Sequence, residues 1–224
     1  MIYLYGDSHV HFSFRDLKLD YTDLYKSSIT MFRIGRDNII INFNKDIIQK
    51  NDIIILSYGE VDCRCHIQRQ INLGNNEDNI INELVSNYFT TIKNNTTNLD
   101  VKIIIVGIIP PTNKNDYEIL NGPIMHEFPF IGSNKNRVRY TNKMNKLLKK
   151  FSIINNYIYF NPYSYYKRPN GTLKFELSDN IVHLGDNSFF LEKFIELYNK
   201  INNKIINWEL IIIFILIHIL IMKD

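Results

Sequence analysis

Ile2-Tyr3-Leu4-Tyr5-Gly6-Asp7-Ser8-His9 places four apolar residues directly before a glycine, and then a hydroxyl between an acid and an imidazole. A short apolar run ending in turn residues reads as a buried strand that breaks off at once. In an open α/β sheet, ligands bind in the crevice beyond the carboxyl ends of the strands. Ser8 then stands at that crevice, which makes it a candidate nucleophile.

Working outward, runs of strand length recur at Ile39–Phe43, Ile53–Tyr58, Val101–Ile109 and Tyr157–Phe160. Their β-branched content suits strands buried on both faces. Between them, Glu77–Lys93 carries Ile80, Ile81, Leu84, Val85, Tyr88, Phe89 and Ile92 at helical spacing. Asn134–Phe151 shows Val138, Met144, Leu147 and Leu148 on one side and basic residues on the other, and Asp186–Ile205 repeats the pattern. Strands alternating with helices predict a parallel sheet covered by helices on both faces. The Pro-bearing segment Pro110–Gly132 reads as a long functional loop, a lid or pocket wall.

The chain has 224 residues, 45% hydrophobic and 22% charged, with a net charge of +3. That describes one globular domain over residues 1–207 and gives no case for nucleic acid as a partner. Alanine is absent while Ile and Asn dominate, a coding bias that blurs propensity arguments. Cys63 and Cys65 are too close to pair and read as small buried fillers in a reducing compartment. The first strand starts at Ile2 and already carries the motif, so the expectation is a cytoplasmic protein without a cleaved signal. Residues 208–224 form a hydrophobic tail, Leu210–Met222 with Trp208 and Lys223 as flanks, expected outside the catalytic domain and in contact with a membrane.

A serine needs a base to take its proton. Asp179-Asn180-Ile181-Val182-His183 follows the last strand and precedes the last helix. If that loop lies at the same sheet edge, His183 reaches Ser8, and Asp179 fixes the imidazole tautomer.

With these residues in place, the chain resembles the SGNH (GDSL-like) hydrolase family from Ile2 to about Ile205. The matching blocks are Gly6-Asp7-Ser8-His9, then Gly35 within Met31–Asp37, then Gly59-Glu60-Val61-Asp62, and finally Asp179 with His183. Val106-Gly107-Ile108-Ile109-Pro110-Pro111 also looks like a strand-end segment of many members. The resemblance implies a three-layer α/β/α sandwich with a parallel, flavodoxin-like sheet. It also implies Ser8 as nucleophile and the backbone N–H groups of Ser8 and Gly35 as oxyanion donors. Two departures stand out. The third block usually reads Gly-x-Asn-Asp, and Val61 occupies the place of the donor Asn. Losing one such donor typically costs about 10²–10³ in rate. Arg64 is the expected replacement, since a guanidinium donates through a rigid fork. Gly-Glu-Val-Asp-Cys-Arg also looks like a variant third block of a family subset. The other departure is three residues between Asp179 and His183, where the family usually has two.

The implied function is a serine esterase or acyltransferase working through an acyl-enzyme, without a cofactor, on a small-molecule or glycan ester. The alternative is a binding protein that kept the fold after losing the Asn. A third reading, a metallophosphoesterase, starts from the Asp7-x-His9 spacing but lacks a Gly-Asn-His segment. Asp7 reads as a turn-stabilising acid. His9 and His11 face substrate or belong to a strand-like alternation. Glu60 and Asp62 are expected in salt bridges with Arg33, Arg36 or Arg64. Arg137, Tyr140 and Asn145 lie on a helix at the pocket rim, with Arg137 on a solvated face.

Overall fold

The computed structural model describes residues 1–37, 47–124 and 128–203. The expected strand Ile39–Phe43 and the tail Leu210–Met222 lie outside these residues. Five strands, β1 (Ile2–Gly6), β2 (Tyr21–Asp23), β3 (Ile53–Ser57), β4 (Lys102–Val106) and β5 (Ile158–Phe160), form one sheet. Their order is β2-β1-β3-β4-β5 and all pairings are parallel. This is the flavodoxin-like order, whose switch point falls between β1 and β3.

Alternation along each strand divides the core in two. Tyr3, Tyr5, Ile54, Leu56, Ile103 and Ile105 pack against α2 (Met31–Arg36), Ile67 of α3 (Ile67–Asn72), α4 (Glu77–Thr96) and α6 (Asn134–Ile154). Ile2, Leu4, Ile53, Ile55, Ile104 and Val106 pack against Val10 and Phe14 of α1 (Ser8–Phe14) and Phe190 and Phe194 of the last helix, α7, which covers 188–203. The expected α/β/α layering is therefore present. The helices read from periodicity extend slightly, to Thr96 and Ile154, while α7 starts at 188. The Pro-bearing segment contains a short helix, α5 (Lys114–Asn121), capped by Asn113.

One local reading needs correction. The residues after Ser8 are helical, not strand-like. Asp7 caps α1 by accepting from the His9 N–H at 2.9 Å. Val10 and Phe14, four apart, then bury the same face. The turn from β1 into α1 is tight: a Cβ on Gly6 would lie 2.6 Å from the Ser57 carbonyl oxygen and 2.7 Å from Val10 Cβ. Only glycine lets the strand feed the helix directly, and this sets Ser8 at the helix start.

Candidate active site

Ser8 occupies the first position of α1, beyond the end of β1 and next to the switch point. Its Oγ donates to His183 Nε2 at 2.8 Å. On the far side of the ring, Nδ1 donates to Asp179 Oδ2 at 2.7 Å. A carboxylate only accepts, so Nδ1 carries the proton and Nε2 is left to accept from the serine. The other Asp179 oxygen accepts from the backbone N–H groups of Ile181 at 2.9 Å and His183 at 3.1 Å. Within this loop Asn180 takes a left-handed φ of +65°, which suits asparagine.

Phe12 completes the setting. Its ring stacks on His183 with centroids 4.2 Å apart and planes 8° from parallel. It stands one helical turn after Ser8, so the helix that carries the serine also covers the imidazole. The sequence reading missed Phe12 because its signal, an i, i+4 relation to Ser8, exists only if the segment is helical.

Burial first, and then the neighbouring His9, hold the His183 pKa below the ordinary histidine value, against the pull of Asp179. For Asp179, burial pushes upward, but the hydrogen bond and charge of His183 and the two backbone amides leave it below the usual carboxylate value. The arrangement is a neutral base held by an ionised acid, with a hydroxyl in reach.

The expected oxyanion donors fare differently. Gly35 lies inside α2 behind the N-cap Thr30, at a depth where helical N–H groups are already used by the ladder. Its place in the sequence has a packing reason: a Cβ there would lie 2.6 Å from Asn87 Cβ of α4. The structure does not bring Gly35 to Ser8 as a free donor. The backbone that accompanies β1 to its end is the loop after β2. There the Lys26 N–H donates to the Gly6 carbonyl at 2.9 Å and Ser28 takes a φ of +65°. The Ser8 N–H stands at the start of α1, where a helix offers no internal acceptor.

Val61 is buried at the head of a π-turn, Asp62–His66. Arg64, also buried, has its Nε 3.2 Å from Glu60 Oε2, an ion-pair distance without hydrogen-bond alignment. Its guanidinium lies 6.0 Å from the Phe130 ring centre. These described contacts tie Arg64 to Glu60 and Phe130; none runs to Ser8. Asp62 forms no salt bridge among the described residues and instead accepts from the Met31 and Phe32 N–H groups at 2.8 and 3.1 Å, capping α2. Burial pushes its pKa up to about 7 against those two amides.

The remaining expectations sort themselves out by contact. Cys63 and Cys65 are free and buried, and burial raises both thiols, Cys65 to about 11. His11 turns outward to Asp23 Oδ2 at 2.7 Å. Arg137 is fully buried rather than solvated; it donates to the Gly132 carbonyl at 2.7 Å and to Asn134, and lies over Phe130. Burial pulls its pKa down to about 10. Tyr140 donates to Gln68 at 2.6 Å, and Asn145 clamps the Ile108 backbone through both its oxygen and its nitrogen. In the Asp7-x-His9 pair, Asp7 Oδ1 and His9 Nδ1 face each other at 3.0 Å. Among the described residues no group of three or more His, Cys, Asp or Glu side chains is arranged to hold a metal ion.

No family model matches the chain, and no curated protein matches it in sequence. Solved structures do match in shape. A GDSL-like lipase from Bacteroides thetaiotaomicron aligns with a TM-score of 0.55 at 13% identity, over 91% of this chain and 88% of its own. Phospholipase A1 from Streptomyces albidoflavus aligns at 0.51 and 12% identity, over 87% and 98%. The OSK domain of Drosophila Oskar aligns at 0.53 and 14% identity, over 85% of each chain. At such identities the likeness is one of fold, and the chain has the α/β/α fold of the GDSL-like hydrolases.

Proposed function

We propose that the protein is a serine-dependent ester hydrolase of the SGNH type. The observation that carries this reading is the continuous relay Ser8 Oγ–His183–Asp179, with both links under 3 Å. In the reaction, Ser8 Oγ attacks the ester carbonyl while His183 Nε2 takes its proton. The imidazolium is stabilised by Asp179 and returns the proton to the leaving alcohol. Water then attacks the acyl-Ser8 ester with His183 again as base, releasing the acid and restoring the serine. The oxyanion falls to the Ser8 N–H and to the loop through Ser28, with Arg64 as the side-chain donor in place of the missing Asn. The substrate class is a small-molecule or glycan ester; an acceptor hydroxyl in place of water would make the same site an acyltransferase.

A fluorophosphonate probe tests the reading. It should label the wild type covalently and fail on Ser8→Ala and His183→Ala. Val61 favours a second reading, a binding protein that keeps the fold without turnover. A folded wild type that the probe never labels establishes that alternative instead.

A further inference from the structure

His9 is buried at 4% exposure one residue from the nucleophile, and nothing in the relay uses it. Its Nδ1 lies 3.0 Å from Asp7 Oδ1, an oxygen that already accepts from the His9 backbone N–H. Its Nε2 lies 3.2 Å from the Val182 carbonyl oxygen and 3.8 Å from Glu60 Oε2. A neutral imidazole has one donor and one acceptor nitrogen. Here both nitrogens face groups that only accept, so both must carry hydrogen. We infer that His9 is an imidazolium through the neutral pH range, one that clasps the base-bearing loop to the nucleophile turn and keeps His183 unprotonated. The inference deepens the hydrolase reading and rests on it for its catalytic consequence.

The geometry gives His9 two effects. Val182 is the residue before His183, so the Nε2 hydrogen bond fixes the base's loop relative to Asp7 and Ser8. The His9 and His183 rings also lie 4.7 Å apart, tilted at 52°. A second positive charge on His183 would then form against the first. The groups facing His9 are Asp7, Glu60 and His183, with Arg64 behind Glu60. Those acting on His183 are Ser8, Asp179, His9 and, at longer range, Glu60; Phe12 covers its face without charge. The direction of each titration agrees. Burial opposes charge on His9, but Asp7 and Glu60 outweigh it and raise its pKa, while His183 is lowered. His9 is thus a positioning residue, with Asp7 and Glu60 as its buried counter-charges and the Arg64 cation opposing them from behind Glu60.

Two measurements on the full chain test this. Imidazole ¹⁵N shifts, with His9 assigned by comparison with His9→Gln, should show both His9 nitrogens protonated at pH 7; a neutral tautomer there overturns the inference. Fluorophosphonate labelling rates against pH give the catalytic consequence. His9→Gln removes the charge and should move the acid-side midpoint up, by on the order of one pH unit for a unit charge at that distance in a screened site. His9→Asn removes the same charge with a shorter side chain and should move the midpoint in the same direction. If the midpoint stays put or moves the other way, the tuning is refuted, and this second variant decides the matter if His9→Gln fails to fold. A wild type that never labels refutes the hydrolase reading and the tuning with it, whereas the ¹⁵N spectrum decides the charge on His9 alone.

Discussion

Asp179 holds His183 by its ring and by its backbone with the two oxygens of one carboxylate. Asp179→Asn keeps the size but offers an amide where the ring needs an ionised acceptor. On a short-chain nitrophenyl ester, kcat should fall by roughly the 10⁴ seen for the acid of a Ser-His-Asp relay, with KM little changed. The wild-type pH profile follows from His183. Its folded pKa lies below 6.5, so the neutral base persists below that value, and labelling should hold at pH 6.5 and fail only at lower pH. A midpoint above 6.5 contradicts this. Arg64 admits a sharper test. Arg64→Ala strands the buried Glu60 and should cost several kcal/mol of stability, on the order of 3–5, whatever its catalytic role. Arg64→Lys keeps a cation beside Glu60 but loses the fork; if Arg64 is the oxyanion donor, this variant melts near the wild type yet loses about 10² in kcat. Full turnover in Arg64→Lys removes Arg64 from the oxyanion site. Ser8, Asp179 and His183 were legible in the sequence because each falls at a break between apolar runs. The fate of Arg64 and Arg137 was not, because a basic residue buried on a helix reads like one on a solvated face until its partners are known.

α2 shows how an element can be set by residues far away in sequence. Its first amides are taken by Asp62, thirty residues on, and its glycine is backed against α4. Asp62→Ala leaves those amides without their cap and should destabilise by about 1–2 kcal/mol, lowering Tm by a few degrees in a chain of this size. The pH dependence has a definite sign. The folded pKa of Asp62 is raised from 3.8 to about 7, so its contribution is fully present below about 3.8 and is lost as pH rises through about 7. Asp62→Asn cannot ionise, and its stability should fall less than the wild type's across that window; parallel urea titrations at pH 4.5 and 7.5 read the difference. Legibility at this scale followed length. α4 and α6 run for five or six turns with unbroken stripes and were readable almost to their ends. β2 has three residues, none of them buried, and α1 begins with β-compatible alternation, so neither gives a period long enough to declare itself.

Across the whole molecule, the order β2-β1-β3-β4-β5 does the gathering. Because all strands are parallel, every strand-end loop opens on the same edge, and the switch between β1 and β3 leaves the gap where Ser8 stands. That is why two loops 175 residues apart meet at 2.8 Å. The alternation of strands and helices carried this much in advance, since it fixes the sheet as parallel even before the order is known. Within the described residues, the second core layer packs Phe190, Phe194 and Ile201 of α7 with Ile2, Leu4 and Ile104. Among these residues no helix is long and apolar enough to cross a membrane. The apolar stretch Leu210–Met222 lies outside the described residues. At ~1.5 Å per residue its thirteen residues would reach about 20 Å as a helix, short of a ~30 Å hydrocarbon layer. A chain ending at Asn207 should melt within about 1 kcal/mol of the full chain and keep its Ser8 labelling, while only the full chain partitions into detergent micelles. If shortening instead lowers stability by several kcal/mol, the final residues belong to the packing of the domain, and the interfacial role assigned to Trp208 and its neighbours is wrong.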